Sequence, residues 1–195
     1  RMRGGRTDRD TVLATVVHLL DETLIRVGSP EYAHDNETFG LTTLRDEHAQ
    51  LGSRCVSFDF VGKAGTRHEV KVSDRRLARM VRRCHELGGK ELFTFVGPDD
   101  SPVAVTSAHV NDLLRELTGL PGVSAKDFRT WGGTAAALEA LAERGPVDSE
   151  READAAVLDA VDVAADLLGN TRGVCRASYV HPVVPEAYRD GTLSD

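Results

Sequence analysis

The chain has 195 residues, 41% of them hydrophobic and 28% charged. This size and composition fit a soluble globular domain with a substantial core and exclude the disordered, collagen-like and disulfide-scaffold classes. The net charge of −7 lies entirely in the C-terminal part, because residues 136–195 hold 12 acidic and 5 basic side chains whereas residues 1–135 hold 19 of each.

Several classes of partner and cofactor are not indicated. The start of the chain lacks the apolar stretch of a signal peptide and no apolar run approaches bilayer length, so we expect a cytoplasmic protein without a membrane partner. The odd number and wide spacing of Cys55, Cys84 and Cys175 predict reduced thiols, with neither disulfide nor zinc. The glycine-rich pieces match no phosphate-binding loop or dinucleotide fingerprint, so we also expect no nucleotide cofactor.

The first third of the chain predicts one helix and a small sheet. Residues 1–9 are rich in Arg and Gly and resemble a linker. Apolar residues then recur at helical spacing over Asp10–Ile25, which predicts a helix. Phe39–Leu44 is predicted as a short strand. Apolar and polar residues alternate in Cys55–Val61 and again in Arg67–Val72, which predicts a β-hairpin with Lys63 at its tip.

The remainder is predicted to be helical, apart from an irregular stretch between Glu91 and Thr106. Asp74 is a predicted N-cap for the first of these helices. The later ones are predicted over Ser107–Leu117, Ser124–Glu143, Asp148–Leu168 and Arg176–Tyr179. We therefore expect one domain over residues 1–195, mainly α with a small antiparallel sheet in the N-terminal third.

The helix after Asp74 carries a basic face. Lys71–Lys90 holds seven basic residues against two acidic ones. Most basic helix faces are simply solvated, but arginines without alternating acids favour a surface for a polyanion. The candidates for this contact are Arg75, Arg79 and Arg82.

Four short motifs stand out along the chain. Each alone fits an ordinary role, such as an arginine at a helix end, a lysine at a hairpin tip, an arginine stacked on an aromatic ring, or a core tyrosine. They are Arg26-Val27-Gly28, Phe60-Val61-Gly62-Lys63, Lys126-Asp127-Phe128-Arg129-Thr130, and Leu168-Gly169-Asn170 followed by Ala177-Ser178-Tyr179.

Taken in this order, the motifs resemble the catalytic core of type IB DNA topoisomerases, in particular the poxvirus-like bacterial branch. Glu31-Tyr32, Asn36-Glu37-Thr38 and Gly40-Leu41-Thr42-Thr43-Leu44 extend the resemblance around the first arginine. The resemblance spans nearly the whole chain and implies the fold shared by these enzymes and the tyrosine recombinases. It also implies that the family's N-terminal DNA-clamping domain has no counterpart in this chain.

The resemblance assigns roles residue by residue. Arg26, Lys63, Arg129 and Tyr179 match the catalytic positions, and Tyr32, Asn36 and Lys126 match positions near the DNA backbone. Asn170 stands where the viral members carry histidine, and its neutral amide still donates a hydrogen bond.

The implied reaction is nicking of one strand of double-stranded DNA through a 3'-phosphotyrosine, followed by resealing without ATP or metal. We expect a monomer that acts at the bacterial nucleoid.

Two other functions stay open at this point. A tyrosine recombinase would fit the segment around Tyr179, but recombinases usually carry histidine three residues before the second arginine, where this chain has Lys126. A DNA-binding module that has lost turnover would account for Asn170 and for the missing clamp domain.

Overall fold

The structure is a computed structural model and describes residues 7–193. It is mainly helical with a small antiparallel sheet, as predicted. The chain forms two compact units, unit 1 (Arg1–Ala125) and unit 2 (Lys126–Asp195). The predicted linker lies outside the described residues as far as Arg6, whereas Thr7 is already buried and Asp8 caps the first helix.

Unit 1 contains four α-helices and five strands among its described residues. The sheet order is β1-β2-β3, with antiparallel neighbours, and β4 pairs separately with β5. The elements are α1 (Arg9–Thr23), α2 (Pro30–Asp35), β1 (Ala49–Leu51), β2 (Val56–Val61), β3 (Arg67–Val72), α3 (Arg75–Leu87), β4 (Thr94–Val96), β5 (Pro102–Ala104) and α4 (Ser107–Thr118).

The predicted hairpin and first helix are confirmed. β2 and β3 pair from Val56↔Val72 to Val61↔Arg67, with the alternate side chains of β2 buried. The apolar stripe of α1 is fully buried. The helix ends at Thr23 rather than at Ile25, because Leu24 takes a left-handed conformation with φ of 52°.

Three short features of unit 1 differ from the sequence prediction. Phe39–Leu44 is not a strand, since Leu41–Thr43 forms a 3-10 helix. The Thr43 hydroxyl accepts a hydrogen bond from the Gly40 N–H and donates one to the Gly40 carbonyl, which closes the chain into a turn. β1 was not predicted, and the stretch predicted as irregular contains β4 and β5.

Unit 2 contains four helices among its described residues, α5 (Lys126–Arg144), α6 (Glu150–Leu168), α7 (Arg172–Ser178) and α8 (Val183–Arg189). The other three pack against α6, whose alanine- and valine-rich face is buried. Each of them also places one arginine on an α6 aspartate, in the pairs Arg144–Asp159, Arg172–Asp162 and Arg189–Asp154. These pairs are exposed and contribute little stability, so apolar burial holds the bundle together.

The helices predicted for unit 2 are confirmed with shifted ends. α5 begins at Lys126, α6 begins at Glu150 after the cap Ser149, and α7 begins at Arg172 and ends just before Tyr179. Within residues 7–193, no helix is long and apolar enough to cross a membrane.

Candidate active site

The first arginine motif is held by close backbone packing. The Arg26 carbonyl accepts a hydrogen bond from the Leu41 N–H at 2.8 Å, and the Val27 carbonyl accepts one from the Thr42 N–H at 2.7 Å. A Cβ at Gly40 would lie 2.5 Å from the Cα of Gly28, so only glycine permits this approach. The Arg-Val-Gly and Gly-Leu-Thr-Thr motifs therefore form one structural device that fixes the backbone beside Arg26.

Lys63 lies at the exposed hairpin tip, as predicted. It opens a short 3-10 turn between β2 and β3. Its Nζ lies 5.1 Å from the centre of the Tyr32 ring, a cation–π distance. Tyr32 is half exposed on α2, and its carbonyl accepts a hydrogen bond from the Asn36 N–H at 3.1 Å. The structure thus brings Lys63 and Tyr32 together, with Asn36 one helical turn further along.

Two cations lie close to the ring of Tyr179 in unit 2. The guanidinium carbon of Arg129 lies 5.0 Å from the ring centre, and Lys126 Nζ lies 5.8 Å from it. Arg129 is only 3% exposed, and its Nη2 donates a hydrogen bond to the Leu168 carbonyl at 2.7 Å. A buried arginine fixed in this way provides positive charge at a defined place beside the phenol.

The backbone of Tyr179 also packs closely against α5. Tyr179 terminates α7, and the Cys175 carbonyl accepts hydrogen bonds from the N–H groups of both Tyr179 and Val180. On α5, a Cβ at Gly133 would lie 2.9 Å from Leu168 Cδ1 and 3.3 Å from the Tyr179 carbonyl oxygen. Glycines inside a helix ordinarily weaken it, but Gly133 is where the tyrosine segment meets α5.

Asn170 is the second residue after the C-terminus of α6. Gly169 is left-handed with φ of 59°, and the Asn170 N–H donates to the Ala165 carbonyl at 2.9 Å. This is the backbone pattern of a Schellman cap. Because the backbone ends the helix, the Asn170 side chain is not needed for that purpose, and its amide nitrogen is buried.

Cys175 lies close enough to Arg129 for the guanidinium charge to act on its thiol. Burial raises the pKa of the Cys175 thiol, and the positive charge of Arg129 offsets part of that rise. The thiol is buried and free, as Cys84 also is, and a thiol with a raised pKa is a weak nucleophile at neutral pH. In residues 7–193 no group of three or more His, Cys, Asp or Glu side chains could hold a metal ion.

The basic face predicted for α3 is present, but Arg82 is less exposed than Arg75 and Arg79. The Asp74 carboxylate caps the helix by accepting from the N–H groups of Arg76 and Leu77. Arg75 and Arg79 are exposed, and no carboxylate of the described residues lies within 4.0 Å of either guanidinium. Arg82 is half-buried and donates to the Gly52 carbonyl at 2.9 Å, so it also anchors the connection after β1. DNA contact by all three stays a prediction.

The predicted site residues divide between the two units. Arg26, Tyr32, Asn36, Lys63 and the α3 arginines belong to unit 1. Lys126, Arg129, Asn170 and Tyr179 belong to unit 2.

Comparisons with known proteins agree on one family. The family described as "Eukaryotic DNA topoisomerase I, catalytic core" matches residues 2–191. "DNA topoisomerase 1B" of Acanthamoeba polyphaga mimivirus is 24% identical over 191 residues, which cover 94% of this chain and 56% of that protein. "DNA topoisomerase 1B" of Vaccinia virus (strain Copenhagen) is 25% identical over 201 residues, which cover 100% of this chain and 59% of that protein.

A fungal relative matches a shorter region. "DNA topoisomerase 1" of Schizosaccharomyces pombe is 29% identical over 131 residues, which cover 65% of this chain and 15% of that protein. The chain thus spans a little more than half the length of the viral relatives. Because these relatives are viral and eukaryotic, they do not support the bacterial branch predicted from the sequence.

Gly133→Ala tests the close packing beside Tyr179. An alanine in a helix interior gains about 0.5–1 kcal/mol over glycine, but overpacking against the fixed Tyr179 carbonyl costs about 1–3 kcal/mol. We therefore expect a lower free energy of unfolding in urea denaturation. Gly173→Ala is the matched control, since Gly173 lies in α7 with nothing within 4 Å of a built Cβ, and it should be neutral or stabilising. Equal effects of the two changes would contradict the close packing.

Proposed function

Because the chain belongs to the type IB DNA topoisomerase family, through its catalytic core, we propose that it cleaves and rejoins one strand of duplex DNA to relax supercoils. The observation that carries this proposal is Tyr179, whose ring lies beside the cations Arg129 and Lys126. A phenol next to a fixed positive charge is suited to attack a phosphodiester, because that charge favours the phenolate and the charged transition state.

In the proposed cleavage step, the Tyr179 oxygen attacks the scissile phosphorus. A covalent 3'-phosphotyrosine forms, the bond to the 5' oxygen breaks, and the phenol proton passes to solvent water. Arg129 stabilises the charge that develops on the phosphoryl oxygens. A guanidinium carries five N–H donors in a planar fork that matches the geometry of phosphate oxygens.

Unit 1 supplies the other two groups in this proposal. Arg26 is the second guanidinium for the phosphoryl oxygens, and Lys63 donates the proton that the leaving 5' oxygen needs. Lys63 lies on an exposed hairpin tip, which suits a group that must reach into DNA. The backbone of Arg26 and Val27 is held by hydrogen bonds to both of their carbonyls, which suits a group that must stay in place.

Rejoining is the reverse of cleavage. The 5' hydroxyl attacks the phosphotyrosine, and Tyr179 leaves. Because the covalent intermediate preserves the energy of the broken bond, the proposed cycle needs neither ATP nor a metal ion. We propose that the protein acts as a single chain in the compartment that holds the DNA.

Further contacts with the DNA backbone are assigned to both units. Tyr32, Asn36 and Lys126 lie near the catalytic residues of their units, and the exposed arginines of α3 add positive charge. Arg75 and Arg79 are the principal candidates on α3, and Arg82 contributes from its anchored position. Phosphate contacts of this kind position a duplex without reading its sequence.

The direct test uses supercoiled plasmid in EDTA without ATP, followed by a denaturing gel for protein–DNA adducts. We expect relaxation and a covalent adduct from the 195-residue chain, and DNA binding without adduct from Tyr179→Phe. Tyr188→Phe is the matched control, because the Tyr188 hydroxyl donates to the Gly145 carbonyl and takes no part in the proposed chemistry. It should retain the adduct.

Other outcomes of this test identify the rival functions. DNA binding without any adduct from the parent chain would indicate a non-catalytic DNA-binding module. Strand exchange that requires paired specific sites would indicate a recombinase. An adduct that persists in Tyr179→Phe would show that the nucleophile is a different residue.

Asn170 provides a separate test of the phosphate contacts. If its amide donates to a phosphoryl oxygen, Asn170→Ala loses a hydrogen bond to a charged group, about 1.5–3 kcal/mol, or roughly 10- to 150-fold in single-turnover cleavage rate. The Schellman cap depends on the backbone N–H and is therefore kept in Asn170→Ala. Asn170→His should remain active and acquire a pH dependence between about pH 5 and 8.

The cleavage rate of Asn170→Ala can also exclude this phosphate contact. If Asn170→Ala cleaves DNA at the parent rate, the side chain makes no contact that matters in the transition state. A different residue must then provide that contact.

A further inference from the structure

Thr134 binds the backbone directly C-terminal to the Tyr179 side chain. Its hydroxyl donates a hydrogen bond to the Tyr179 carbonyl at 3.0 Å and accepts one from the His181 N–H at 3.0 Å. A threonine inside a helix ordinarily donates to the carbonyl four residues earlier. The Thr134 hydroxyl instead reaches across to the segment between α7 and α8.

This segment is the short irregular connection between two helices. α7 ends at Ser178 and α8 begins at Val183. On the N-terminal side, the Cys175 carbonyl holds the N–H groups of Tyr179 and Val180. On the C-terminal side, the Thr134 hydroxyl binds both the Tyr179 carbonyl and the His181 N–H.

Thr134 is adjacent to Gly133 in the sequence, and the two act on the same atom. Gly133 leaves room for the Tyr179 carbonyl to approach α5, and the Thr134 hydroxyl then binds that carbonyl. The pair therefore determines both the distance of the tyrosine segment from α5 and its position along the helix. Arg129 and Lys126 project from the same helix toward the ring.

We propose that Thr134 is a positioning residue for Tyr179, holding the backbone of the nucleophile in the register that keeps its phenol beside the cations of α5. This inference rests on the proposed function. Nucleophilic attack on phosphorus requires the entering and leaving oxygens to be in line, and a misplacement of about 1 Å costs about 10²-fold in rate. The Cys175 carbonyl holds the N-terminal side of the Tyr179 side chain and the Thr134 hydroxyl holds its C-terminal side, which restricts that displacement.

The test compares Thr134→Val with Thr134→Ser in the full chain. Valine has nearly the shape of threonine but no hydroxyl, whereas serine keeps the hydroxyl. We expect Thr134→Val to lower the single-turnover cleavage rate about 10- to 100-fold with unchanged DNA affinity. Thr134→Ser should restore most of the rate, which a loss of packing alone would not explain.

A second measurement does not depend on activity. Hydrogen exchange followed by mass spectrometry should show faster exchange at the amide of His181 in Thr134→Val, because that N–H loses its acceptor. Thr118→Val is the matched control, since the Thr118 hydroxyl also donates to a carbonyl, that of Leu114, and accepts from an N–H, that of Leu120. It should leave both the cleavage rate and the His181 exchange unchanged.

The outcomes separate this inference from the proposed function. No adduct from the parent chain overturns the proposed function. A parent that cleaves, with Thr134→Val cleaving equally fast, overturns the positioning role alone. Equal losses of rate in Thr134→Val, Thr134→Ser and Thr118→Val would show a general loss of stability and would also overturn it.

Discussion

The close packing of α5 against the segment that carries Tyr179 is the constraint on which the proposed chemistry depends. Lys126, Arg129 and Gly133 follow at intervals of three and four residues and share one face of the helix. Two of them place cations beside the phenol ring, and the third leaves room for the tyrosine backbone. A shift of one residue along α5 would turn this face by about 100° and separate the charges from the phenol.

The two arginines and the lysine are held in different ways that suit their proposed roles. Arg129 is buried and hydrogen-bonded to the end of α6, so its charge is fixed before DNA binds. The backbone beside Arg26 is fixed by the close approach of Gly28 and Gly40. Lys63 is exposed at a hairpin tip beside Tyr32. A fixed charge lowers the reorganisation that the transition state requires, whereas a proton donor at a moving leaving group benefits from freedom of movement.

Much of the fold was predictable because its patterns are local. The alternation in β2 and β3, the stripe of α1 and the capping of α3 by Asp74 depend on residues close in sequence. The 3-10 helix at Leu41–Thr43 was missed because the hydroxyl of Thr43 overrides a β-prone composition. The roles of Gly133 and Thr134 were also missed, since they depend on a partner more than 40 residues away. No periodicity marks a single glycine or hydroxyl of that kind.

The proposed cleavage reaction depends most on Tyr179 being the nucleophile. The chain has three tyrosines, Tyr32, Tyr179 and Tyr188. A duplex whose short leaving strand dissociates after cleavage would trap the covalent adduct. Proteolysis, nuclease digestion and mass spectrometry would then identify the peptide that carries the nucleotide. We expect a 3'-linked nucleotide on Tyr179 alone. A nucleotide on Tyr32 or Tyr188 would contradict it.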